Sequence, residues 1–163
     1  MKRLRVSVPI AATFLLASCA QGVVIDDPAR TATFVLEKGY GNAGLMGGSS
    51  NLYFLETGGH CEGLQKIAEM NWSAGKETSR PVPAGGPVTI YGEVVINTDG
   101  GYNAVRVNRC AQRATFSSEI GKTYRVRQLG NPGEACTLTV TDEATGAPPP
   151  DLTVSTAPIC TTW

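Results

Sequence analysis

Apolar and polar positions divide this chain into one long apolar run and a series of short alternating ones. The long run spans 6–16 and is interrupted only by Ser7, Pro9 and Thr13. Beyond it, β-branched and aromatic residues alternate with polar ones in "TATFVLE" (31–37), "LYFLET" (52–57), "VTIYGEVVIN" (88–97) and "YNAVRVNRC" (102–110). The same pattern recurs in "RATF" (113–116), "TYRVRQL" (123–129), "CTLTVTD" (136–142) and "LTVST" (152–156). A period of two in runs this short predicts strands. "TDGG" (98–101) supplies the Asp-Gly pair that a tight hairpin favours, and "GNPGEA" and "ATGAPPP" separate later runs in the same way. The run "SAGKETSRPVPAGGP" (73–87) reads as loop. Only at 62–72 is the spacing helix-like, with Leu64, Ile67, Ala68 and Met70 on one face, predicting one or two helical turns near 62–70. The whole predicts an all-β fold, an antiparallel sandwich of seven to eight strands with one short helix.

Composition agrees. Nineteen glycines and ten prolines in 163 residues leave room for many turns and little long helix. The opening run changes the picture of where the chain resides. Lys2, Arg3 and Arg5 precede it, and eleven helical residues span only about 16 Å, roughly half a bilayer core. A positive start, a short apolar stretch and small residues describe a secretory signal.

The end of that stretch, "LASC" (16–19), resembles the lipobox of bacterial prolipoproteins. The resemblance implies lipid on the Cys19 thiol and cleavage between Ser18 and Cys19. The chain then divides into a signal peptide (1–18), a lipidated tether (19–30) and a single β-sandwich domain (31–163). One acyl chain binds a bilayer only marginally, whereas a diacylglyceryl group with an amide-linked chain holds firmly. Ala20 stands where an aspartate retains such proteins at the inner membrane. Its presence implies a lipid anchor in the outer membrane, facing the periplasm.

Loss of the signal leaves 11 basic against 14 acidic residues, a net charge of −3. No Lys/Arg cluster exceeds a pair, so no nucleic-acid partner is expected. Arg106, Arg109, Arg113, Arg125 and Arg127 are expected to lie in part on one solvated face. Setting Cys19 aside leaves an even number, Cys61, Cys110, Cys136 and Cys160, which in an exported chain reads as two disulfides. The preferred pairing is Cys110–Cys136 with Cys61–Cys160; the alternative is Cys61–Cys110 with Cys136–Cys160.

Two further resemblances concern the fold. "FSSEIGKTYRV" (116–126) resembles the tyrosine-corner segment of immunoglobulin-like and fibronectin-like domains, implying that the Tyr124 hydroxyl caps the corner and Val126 points inward. "LTVTDEATGAPPPDLTV" (138–154) is similar to a strand–Thr-Gly–strand segment of transthyretin-like and carboxypeptidase-regulatory-like modules. The cysteines around "F…GKTYRV…C" also resemble small lipoproteins of Gram-negative bacteria, a grouping that lends no activity.

Candidate chemistry is sparse. "GYGNAG" (39–44) matches GxGxxG but opens no helix, as a pyrophosphate site requires. His60 sits in a glycine-rich loop without a nucleophile motif or a spaced metal partner. Glu56, Glu62 and Glu69 read as solvated strand ends and a polar helix face, not a glycosidase pair. Asp99 and Asn103 fall in a hairpin turn that lacks the repeated acids of a calcium loop. No enzyme activity, cofactor or metal is expected. What remains is interaction surface: Tyr40, Leu45 and Met46 in the loop 39–50, and Trp72 beside "RPVPAGGP". The expected function is a non-enzymatic structural or protein-interaction role in the envelope, partnered by the membrane and by envelope proteins. The alternative is a small-ligand or glycan-binding lipoprotein using loop 39–50 and Trp72.

Overall fold

The computed structural model describes residues 22–39, 49–71, 73–99, 105–130 and 135–160. Among them are nine strands and no helix: β1 (Thr31–Glu37), β2 (Ser49–Gly59), β3 (Glu62–Met70), β4 (Glu77–Pro83), β5 (Gly86–Asp99), β6 (Val105–Ser118), β7 (Thr123–Leu129), β8 (Thr137–Asp142) and β9 (Thr153–Thr156). They form a four-stranded sheet, β4-β1-β7-β8, and a five-stranded sheet, β3-β2-β5-β6-β9. Every pairing is antiparallel except β1 with β7. Phe34, Leu36, Val82, Tyr124 and Val126 of one sheet pack against Tyr53, Leu55, Ile90 and Phe116 of the other. Alternation creates this layer, because every second residue of each strand faces the opposite sheet. Phe34, Phe116 and Tyr124 form an aromatic trio at its centre, with ring centroids 5.0–6.0 Å apart.

The short helix near 62–70 is not formed; that segment is β3. A register shift opposite Tyr53 and Phe54 pairs them with Ala68 and Lys66, leaving Ile67 as the extra residue of a bulge. The bulge turns both Ile67 and Ala68 inward and so imitates helical spacing. The run at 73–87 also contains a strand. β4 accommodates Pro81 and Pro83 because it is an edge strand, laddered to β1 alone. Residues 105–110 and 113–116, read as parts of two runs, belong to one strand, β6.

Where β1 and β7 part, the Tyr53 hydroxyl crosses from the opposite sheet. It donates to the Glu37 carbonyl at 2.6 Å and accepts from the Gln128 amide at 3.0 Å, satisfying two backbone groups that the parallel ladder no longer serves. Asn51 does the same beside it, accepting from Gly39 N at 3.0 Å and donating to Gln128 O at 2.9 Å. Buried at the same level, the Gln128 side chain lies over Gly92, where a Cβ would stand 1.8 Å from its Oε1. Both of its amide atoms lack a hydrogen-bond partner. Desolvating such a group costs about 1–3 kcal/mol. Gln128→Met, similar in volume and without the amide, is expected to raise the unfolding free energy by about 1–2 kcal/mol in urea titration.

Two disulfides brace the sandwich. Cys61–Cys160 has a Cα–Cα distance of 5.6 Å and Cys110–Cys136 one of 5.8 Å, so the preferred pairing is the one formed. The Tyr124 hydroxyl accepts from the Glu119 amide at 3.0 Å and Val126 is fully buried, as the corner segment implied. No helix among the described residues is long and apolar enough to cross a membrane.

Candidate functional site on the outer face of the five-stranded sheet

A sheet face turned away from the sandwich core is ordinarily solvated. Here part of it is covered by the chain's own C-terminal run. After β9 the backbone turns back across the sheet: Ala157 N donates to Ala111 O, and Cys160 is bonded to Cys61. Beneath this strap lie Leu52, Phe54, Tyr91 and Ala111, with Phe54 and Tyr91 edge-on at 6.0 Å.

Three strands supply charges to the same face. β2 contributes Glu56, β5 Tyr91 and Glu93, and β6 Arg109 and Arg113. Antiparallel register sets Glu93 opposite Ala111, so Arg109 reaches it by a diagonal, while Arg113, opposite Tyr91, reaches across β5 to Glu56 of β2. Arg113 grips Glu56 through two nitrogens, Nη2 to Oε1 at 2.9 Å and Nε to Oε2. Its guanidinium also sits 5.9 Å from the Tyr91 ring centre. Arg109 Nε donates to Glu93 Oε1, and its Nη2 reaches the Cys160 carbonyl at 3.4 Å. The Glu56 and Glu93 side chains are 1 % and 0 % exposed.

The two carboxyls shift in opposite directions. Burial works to raise Glu56, but hydrogen bonds from Arg113 and the Cys61 amide, with the charges of Arg113 and His60, hold it below its ordinary value. For Glu93, burial outweighs Arg109 and Tyr91, and the carboxyl is pushed up. Tyr91 links Glu93 to the strap. Its oxygen accepts from Cys160 N at 3.1 Å, and its single proton faces two acceptors, Glu93 Oε2 at 3.1 Å and Pro158 O at 3.2 Å. Burial likewise pushes the Tyr91 phenol up to about 12.

A raised folded value means that the stability contributed by Glu93 is fully present below the ordinary glutamate pKa of 4.5 and is lost as pH rises through the folded value. Glu93→Gln keeps the acceptor for Arg109 and carries a permanent donor toward Tyr91. The variant is expected to match the wild type near pH 4 and to exceed it by about 1 kcal/mol at pH 8, read from urea titrations at both values. An equal offset at both would refute the assignment.

The charges at this site serve attachment. Each carboxylate oxygen of Glu56 and Glu93 already receives a donor. No side-chain arrangement here resembles a nucleophile with its base, and no group of three or more His, Cys, Asp or Glu among the described residues could hold a metal ion. Elsewhere, a concavity of about 500 Å³ opens at the β6–β7 turn beside Pro148–Pro150. Its charges also answer one another: Lys122 lies 2.7 Å from Glu119 and 3.1 Å from Asp142. On the outer face of the other sheet, Arg125 binds Glu37, Glu77 and Glu143 at 2.7–2.9 Å.

The positions singled out from the sequence fare unevenly. The four paired cysteines are placed, and Cys61–Cys160 is the staple of the strap. His60 is exposed in the β2–β3 turn with φ of 49°. Glu56, read as a solvated strand end, is instead 7 % exposed and ion-paired, because the turn folds its Cys61 amide over the carboxylate at 2.9 Å. Cys19, Tyr40, Leu45, Met46 and Trp72 lie outside the described residues, although Gly39, Ser49 and Asn71, which bound the latter segments, stand at one end of the sandwich. Tyr91, Glu93, Arg109 and Arg113 were missed as a group. The available signal was Glu93 itself, a charge in the middle of the apolar run "VTIYGEVVIN", with two arginines spaced by four on the next strand. Comparisons of this chain with protein-family models, with curated proteins and with solved structures found no match.

Proposed function

We propose that this chain is an envelope lipoprotein, anchored through Cys19, whose disulfide-braced domain has a non-enzymatic structural or protein-interaction role. The observation that carries the reading is cysteine parity. Four of five cysteines pair as Cys61–Cys160 and Cys110–Cys136, and the fifth is the one that ends "LASC". Paired cysteines suit an oxidising compartment, which an exported chain reaches. The Ala20 that follows Cys19 favours the outer membrane, with the domain in the periplasm. An immunoglobulin-like ancestry draws support from the Tyr124–Glu119 corner. The closed ion pairs on the five-stranded sheet favour a domain that holds its shape over one that turns over a substrate.

The test is the intact mass of protein extracted from membranes, with and without reduction and alkylation. A mass beginning at Cys19, raised by acyl groups, with four thiols appearing only on reduction, is the expected result. An unlipidated chain with a free Cys19 thiol would overturn the anchor.

A further inference from the structure

The chain enters the domain already attached to it. Gly22 forms a parallel bridge with Lys66 of β3, and Val24 N donates to Gln65 Oε1 at 3.1 Å. Val23 packs against the main core between them. The path from Gly22 onward is therefore fixed on the open edge of the five-stranded sheet. Cys19 lies three residues upstream, and three Cα steps cover at most about 11 Å. Because the bridge is parallel, the run from Gly22 to Val24 advances in the same sense as β3.

We propose that the lipid on Cys19 seats the β3 edge, with Gly22, Val24 and Lys66, against the bilayer headgroups, so that the domain is held in one orientation. The inference rests on the lipoprotein reading and adds to it a membrane-facing surface. Two features of that edge suit a headgroup layer. Val24 is 62 % exposed, the most exposed of the large hydrophobic residues described, and stands beside the anchor's exit. Lys66 and Glu69, ion-paired at 2.9 Å and each half exposed, present opposite charges to a zwitterionic headgroup layer. Backbone groups on the open side of β3 are then shielded from pairing with another chain, a hazard of any edge strand. The opposite edge, β9, stands four strand spacings away, about 19 Å, and faces the periplasm.

The experiment uses the membrane-extracted protein in nanodiscs of phosphatidylethanolamine and phosphatidylglycerol that carry gadolinium-chelating headgroups. Amide relaxation is read residue by residue. Enhancement at 62–68 is expected to exceed that at 153–156 by roughly tenfold or more, since it falls with the sixth power of a distance that differs by about 19 Å. Val23→Asp, which detaches the entering run by breaking its packing against the core, should flatten that gradient. Equal enhancement at β3 and β9 in the wild type would overturn the proposal. Failure of the anchor is read separately, from the mass of the same sample. If Cys19 proves to be a free thiol, a nitroxide maleimide on it reports the same geometry. Broadening centred on β3 would then uphold the docked entry while the lipid reading falls, and broadening spread over the domain would reject both.

Discussion

Arg113→Met is expected to lower the free energy of unfolding by about 3–5 kcal/mol, the range for stripping the partner from a buried ion. The Glu56 side chain is 1 % exposed and takes both its short contact and a second one at 2.9 Å from this guanidinium. Without it, only the Cys61 amide faces the carboxylate. The double variant Glu56→Met/Arg113→Met should recover most of the loss, because an apolar pair of similar volume leaves no charge stranded. The pH dependence has a definite sign. In the wild type the folded carboxyl lies below its ordinary 4.5, so its contribution is present above that value and lost as pH falls through the folded one. In the single variant burial is opposed only by the Cys61 amide and His60, so the folded value rises, which reverses the slope. The gap between the two proteins should therefore shrink between pH 7 and pH 4. Urea titration at both values decides it; a cost below 1 kcal/mol, or a gap indifferent to pH, would show that the pair is a surface contact.

The same residues show what the sequence could and could not disclose. β1 and β7 are read at their observed bounds because both bury every second residue against the opposite sheet, and period two is then the whole signal. β3 defeats that logic through one bulge, which sets two consecutive side chains inward. β4 was concealed by prolines that are forbidden only where both sides of a strand are laddered. The ion-paired face was concealed by a different cause. Alternation correctly puts Tyr91, Glu93, Arg109 and Arg113 on the face away from the main core, and such a face is ordinarily wet. It is covered by Ala157–Cys160, a run too short and irregular to carry any pattern, whose position only the bond to Cys61 reveals. The disulfide preference thus held the key to the site, but pairing alone does not say which side chains the tail will cover.

Removing that bond should cost more than removing the other. Cys61→Ala/Cys160→Ala opens a closure of 99 residues, against 26 for Cys110→Ala/Cys136→Ala. Chain entropy alone gives about 4.7 and about 3.5 kcal/mol, upper figures since cross-links commonly deliver less. Local geometry acts on the first pair in both directions. Gly59, His60 and Cys61 have φ of 71°, 49° and 72°, and the two non-glycines relax from the left-handed region if the turn is freed. Against this, a released strap uncovers Leu52, Phe54 and Tyr91 and withdraws the Cys160 and Pro158 backbone partners from the Tyr91 hydroxyl. The expected net loss is about 3–4 kcal/mol, a fall in melting temperature of about 10–15 °C. Amide exchange at Ala157 and at position 160 should accelerate well beyond that of Phe34 or Val126 in the same variant. Two variants of equal stability, or a strap whose exchange tracks the core, would mean that the tail is held by the Arg109 and Tyr91 contacts and not by the disulfide. Tyr91 would then be its principal anchor, and Tyr91→Phe in the cysteine-free background would release it.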